Sequence, residues 1–157
     1  MKVVNVLLRL LAADILSMFI NMTLAGSSST AVRAVCAVCT AGILVTVLGD
    51  HAVKAAHTDL KGKQGSAGMI LAGAFASLPA LISWIILYVS ANSGGFDYYR
   101  WHKLINATFL QYYNLIEPDA LSSSLSLNEL LMMLPTAAVP AAAVIIPYLR
   151  TKRRGTL

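Results

Sequence analysis

Asp14, Ser17 and Asn21 stand three and four residues apart inside a long apolar run, so on a helix they line up as one polar stripe. A carboxylate near a bilayer midplane costs about 2.5–3.5 kcal/mol on insertion scales, so this stripe should face protein or water rather than lipid. Two chemistries fit it: an ion or proton site in a transporter, or a contact to a cationic residue on a partner subunit. The plainer reading is a protonated, hydrogen-bonded Asp14 that holds helices together. Arg9 is five residues away, about 140° round a helix, and is expected to snorkel to the cytoplasmic headgroups, with Arg33 doing the same outside.

Cys36 and Cys39 are the only cysteines, and a CxxC pair invites a redox hypothesis. On a helix, side chains three apart sit roughly 5–6 Å between Cβ atoms, against about 3.8 Å in a disulfide, so bridging requires local unwinding. The simpler expectation is a pair of small packing residues among Ala34, Ala37, Ala41 and Gly42. His51, His57 and Asp59 are metal-ligand types, but six residues put the histidines about 240° apart, so no metal site is expected. Further along, Pro135, Pro140 and Pro147 interrupt an apolar stretch. Each displaces the carbonyl four residues back, so Leu131 and Thr136 could offer free carbonyls near mid-membrane, the raw material of a substrate or ion site; the plainer and preferred reading is a curved helix packed through Ala137, Ala138, Ala141, Ala142 and Ala143.

These groups require elements built for lipid. Hydrophobic residues make up 57% of the 157 and charged ones 12%, and no charge lies between Lys63 and Asp97. The mean hydropathy of +0.70 agrees. Residues 3–24, 29–48, 68–91 and 127–148 are each long enough to cross a core of about 30 Å, which predicts an all-α, four-helix membrane bundle in a single domain over 1–157. The first run loosely imitates a cleavable signal near Thr23, Ala25 and Gly26, but Arg9 and Asp14 interrupt it, so it is read as a retained helix followed by a tight turn over 26–30. Gly68, Ala72 and Ala76 form a small-residue ridge where close helix contact is expected. Lys54, Lys61 and Lys63, with Arg150, Lys152, Arg153 and Arg154, put both termini and the 50–66 connector on the cytoplasmic side. They also account for most of the net charge of +5, which suits anionic lipid rather than nucleic acid.

The long outer loop carries Trp101, Leu104, Ile105, Thr108, Phe109, Tyr112 and Ile116 at helical spacing, with Lys103, Asn106, Gln111, Asn114 and Glu117 elsewhere. This predicts an amphipathic helix over about 98–116 lying flat on the outer leaflet, with Trp101, Phe109, Tyr112 and Tyr113 at headgroup level. Its role would be to lid the bundle, or to receive a partner or guide a substrate. Asn106-Ala107-Thr108 also matches a glycosylation acceptor, relevant only in a eukaryotic secretory setting. Four spans with both ends inside, CxxC on the outer half of the second, and a long outer loop between the third and fourth resemble in layout the disulfide-forming, quinone-reducing membrane oxidoreductases. The chain departs from that family's pattern in having no cysteine in the long loop.

No internal repeat, Walker, HExxH or GxSxG motif is present. The leading expectation is a non-catalytic integral subunit of a membrane transport or secretion assembly in a bacterial cytoplasmic membrane, without a cofactor, whose partners are lipids and other membrane subunits or further copies of itself. A small transporter or oligomeric channel using Asp14 and the proline-kinked fourth helix is the second expectation. A thiol oxidoreductase using Cys36 and Cys39 is the third.

Overall fold

The computed structural model describes residues 2–23, 29–62 and 65–155. The expected turn over 26–30 falls mainly outside the described residues, as does Lys63. Four helical stretches are long and apolar enough to cross a membrane: α1 (Lys2–Thr23), α2 (Thr30–Lys61), α3 (Ala67–Ser93) and a fourth over Leu127–Arg154. The fourth is composite, with α6 (Leu127–Met133) and α7 (Val139–Arg154) joined by a 3-10 segment, Leu134–Ala138. Between α3 and α6 lie two short helices, α4 (Tyr99–Ile105) and α5 (Leu110–Ile116), separated by a 3-10 turn, Ala107–Phe109.

The helices form a ring in which α1 and α7 each pack against both α2 and α3. Lys2 meets Asp59 near the end of α2, and Asp59 meets Tyr148 in α7, so the starts of α1 and α3 and the ends of α2 and α7 share one end of the bundle, here called basal. The buried stripes follow from periodicity. In α1 they are Val6, Leu10, Ala13, Ser17 and Asn21; in α2, residues 36, 40, 44, 48, 52 and 56 repeat every four and end on Asp59. Opposite them Leu8, Leu11, Ile15, Phe19 and Met22 are exposed, as side chains in contact with lipid should be.

Three departures from the sequence reading concern boundaries. First, α2 does not stop near Leu48 but runs on to Lys61, because Ala52, Ala56 and Asp59 continue its inner stripe. Second, α3 ends where Gly94 adopts φ +63°, a left-handed conformation suited to glycine, and donates its amide to Ser90. Third, the fourth stretch begins at the expected capping box, with Ser126 and Glu129 bonding reciprocally, and then tightens instead of remaining α-helical. The small-residue ridge of α3 is interior at Ala72 and Ala76, and at Gly73 an added Cβ would come within 2.7 Å of the Ile145 side chain.

The excursion between α3 and α6 is pinned at its two ends. Oδ1 of Asp97 accepts the amide of Ser122 at 2.9 Å and its hydroxyl at 2.8 Å. The Ser122 hydroxyl in turn accepts the amides of Tyr98 and Tyr99 at 2.8 and 2.9 Å. These bonds, with the Tyr99 amide and the nearby Arg100 charge, hold the Asp97 carboxyl below its ordinary range despite partial burial.

Candidate functional site

The 3-10 turn Ala107–Phe109 packs against α1 and α2, and so meets the polar stripe. Oδ1 of Asp14 accepts the Thr108 hydroxyl at 2.6 Å and the Thr108 amide at 3.3 Å, and Ser17 Oγ lies 3.3 Å from the same hydroxyl. Thr40 donates to the carbonyl of Thr108 at 2.7 Å, and Asn21 donates from Nδ2 to the carbonyl of Ala107 at 2.8 Å. The reason is backbone supply: a turn away from water must find partners for its own amides and carbonyls, and α1 and α2 provide them from side chains. The Asp14 carboxyl is therefore held by neutral donors. Replacing Thr108 with Val should cost about 1–3 kcal/mol, because it strands the acceptor on Asp14. Asp14→Asn should cost less, since its amide oxygen still accepts from Thr108. Reversible unfolding in mild detergent measures both, and equal losses would refute the hydrogen-bond assignment.

A second polar group lies where α4 meets α3. Ser83 Oγ is 2.9 Å from Nδ1 of His102, and Nδ2 of Asn106 reaches Ser83 Oγ at 3.2 Å and the His102 carbonyl at 2.9 Å. The imidazole lies 4.8 Å, centroid to centroid, from the ring of Tyr113, and its Nε2 is buried without a hydrogen bond. Burial, reinforced by the Lys103 charge, draws the His102 pKa down to about 4 against the opposing bond from Ser83, so the ring is neutral at neutral pH. Lys103 itself caps the end of α5, donating to the carbonyls of Glu117 at 3.2 Å and Pro118 at 2.6 Å over the face of Tyr99. Burial lowers its amine to about 8, with Asp119 and Glu117 pulling the other way.

The expected flat helix over 98–116 is thus broken at Asn106, and in its first half, α4, the apolar face is turned outward. Trp101 is 61% exposed with Leu104 and Ile105 beside it, whereas His102, Lys103, Asn106, Thr108 and Gln111 are buried. Of the residues assigned to headgroup level, Phe109 and Tyr113 are in the protein core, and half-buried Tyr112 donates to the carbonyl of Met132 at 2.8 Å. The cause is that Asn106 and Thr108 have partners on α3 and α1, while apolar side chains surrounded by lipid need none.

At the kink, the carbonyl of Thr136 accepts the amide of Val139, so it is not the free group expected, and the Leu131 side chain points outward. Tightening to 3-10 supplies that bond. Other carbonyls of the bend are taken by side chains: Trp84 Nε1 reaches Leu130 at 2.8 Å, and the Thr136 hydroxyl reaches Met133 at 2.7 Å while pairing with Tyr113. Pro135 opens the 3-10 segment and Pro140 stands at the start of α7, positions that need no amide donor.

Cys36 and Cys39 are both free thiols. Cys36 is buried and donates to Oδ1 of Asn21 at 3.3 Å, while Cys39 lies on the outward face of α2 rather than in the packing seam. At the basal end, Asp59 is occupied by Lys2 and Tyr148, and the described residues contain no cluster of three or more metal-ligand side chains. Sequence reasoning missed Thr40, Ser83, His102 and Gln111, whose signal was polarity at positions facing neighbouring helices. No protein-family model, curated protein or solved structure matches this chain.

Proposed function

We propose that the chain is a non-catalytic subunit of a larger membrane assembly, lying in a bacterial cytoplasmic membrane with both termini in the cytoplasm. The observation that carries this reading is the outward face of α2, where Ala31, Val35, Val38, Cys39 and Gly42 are all exposed. A Cβ built on Gly42 meets nothing within 4 Å, in contrast to Gly73, which faces Ile145. Small side chains on a lipid-facing helix let a second backbone approach closely, which is how helices associate in membranes. The orientation rests on Lys54, Lys61, Arg150, Lys152, Arg153 and Arg154 at the basal end.

Partner binding moves in this reading from Asp14 to α2, because the polar stripe is already met by Thr108 and Ala107. Asp14 lies about 18 Å along α1 from Lys2 at 1.5 Å per residue, so the 107–109 turn acts as a re-entrant plug reaching roughly half the hydrocarbon depth. The cavity beside Asp14 measures about 20 Å³, no more than a single water's space, and a transported solute would require that plug to withdraw.

Intact-mass analysis of the chain in nanodiscs made from its native membrane tests the proposal. Stoichiometric companions are expected, and Gly42→Leu should strip them away while the unfolding free energy of the isolated chain changes by no more than about 0.5 kcal/mol. Cross-linking through Cys39 tells a second copy from a different subunit. A chain that travels alone as a monomer, or keeps its companions after Gly42→Leu, ends this reading.

A further inference from the structure

At the end of the bundle away from the termini, α1, α2, α4 and α5 enclose a cavity of about 170 Å³. Its walls include Met18, Met22 and Leu104, all well exposed, so it opens toward the surrounding leaflet. Its polar lining includes Arg33, Gln111 and Asn114. Among the described residues the Arg33 guanidinium has one acceptor, the carbonyl of Asn114 at a long 3.5 Å, and no carboxylate pairs with it. Gln111 is only 4% exposed. Its Oε1 accepts from Asn114 at 3.3 Å, which leaves the Nε2 amide protons without a hydrogen-bond partner among the described residues.

A buried residue whose amide Nε2 is left free to donate at the cavity and a guanidinium with one long hydrogen bond together suit an anionic acceptor, since guanidinium is shaped for carboxylate or phosphate. The apolar walls ask for an alkyl chain. At roughly 30 Å³ per water, the cavity has room for about six waters, enough for an acid group and the first methylenes but not for a whole tail. The remainder of the chain would lie along Met18 and Met22 in the leaflet.

We propose that this cavity binds the acid group of an anionic amphiphile, with Arg33 and Gln111 as donors and the tail leaving past Met18 and Met22. A carboxylate on a free fatty acid and a phosphate on a phospholipid share the chemistry required. The site is independent of the α2 face and survives if that face proves unpartnered.

The test uses the full chain in nanodiscs of zwitterionic lipid, titrated with laurate, dodecanol or phosphatidylglycerol while the thermal midpoint is followed. One of the two anionic probes should raise the midpoint saturably and dodecanol should not. Arg33→Gln and Gln111→Leu should each weaken that response at least about tenfold, with Arg33→Lys in between. Response to laurate identifies a free acid as sufficient; response to phosphatidylglycerol alone identifies a lipid headgroup. The proposal is overturned if dodecanol acts as the anions do, if no anionic probe responds, or if variants with an unchanged ligand-free midpoint respond like the native chain. Should Arg33→Gln fail to fold, Gln111→Leu and Arg33→Lys decide the matter.

Discussion

Lys2→Met is expected to destabilise the bundle by about 3 kcal/mol, the largest loss from any single substitution considered. Asp59 is 1% exposed, both of its oxygens accept from Lys2 Nζ at 2.7 Å, and Tyr148 donates to Oδ2 at 2.7 Å. Removing the ammonium leaves a buried carboxylate with the Tyr148 hydroxyl as donor and the Lys152 charge nearby. Breaking a fully buried pair costs about 3–5 kcal/mol, and the lower end applies because the Lys2 side chain is 34% exposed and so partly screened. The double variant Lys2→Met, Asp59→Asn should recover most of the loss, since it removes the charge that was stranded. Denaturant unfolding of the native chain and the two variants makes the comparison. A double variant no more stable than Lys2→Met would show that charge is not the cause.

Acidification should give the second large effect. The folded protein keeps His102 neutral down to about pH 4, whereas an unfolded chain takes up that proton near pH 6.5. As the pH falls from about 6.5 to 4, the unfolded state therefore gains a proton that the folded state refuses, and stability drops by up to roughly 1.4 kcal/mol per pH unit. The His102 share of the loss should total about 3 kcal/mol and be complete near pH 4, once the folded form also binds the proton; below that, protonation of Asp97 adds its own loss. The contribution of His102 is thus full above pH 6.5, the opposite of a histidine stabilised by an acidic partner. His102→Gln should flatten the profile across this window. Retention of the slope in that variant would assign it to another group.

How much of this was legible in the sequence differs sharply by element. The four long apolar stretches and the capping box at Ser126 were readable, since apolar length and local capping chemistry leave direct marks in a sequence. So was the demand of Asp14 for company, though not the identity of that company, which comes from Thr108, 94 residues later in the chain. The segment around α4 and α5 misled for a physical reason. Its apolar periodicity was correctly seen, but its polar side is the one turned inward, so Trp101 and Leu104 face out while His102 and Gln111 face the bundle. Periodicity reports that two faces differ; it does not report which solvent each one meets. Asn106 and Thr108, polar residues in the middle of that run, marked the break.

The clasp between Asp14 and Thr108 also sets a schedule for synthesis. The two residues are 94 positions apart, so at about 5–20 residues per second a ribosome makes the acceptor roughly 5–20 s before its donor exists. Throughout that interval α1 carries an unanswered carboxyl, with Ser17 and Asn21 also lacking the turn that will cover them. A chain stopped at Gly94 would leave the polar seam of Asp14, Ser17 and Asn21 without the turn that covers it. Arrival of the 107–109 turn closes that seam, and α7, made later still, completes the packing of α2 and α3.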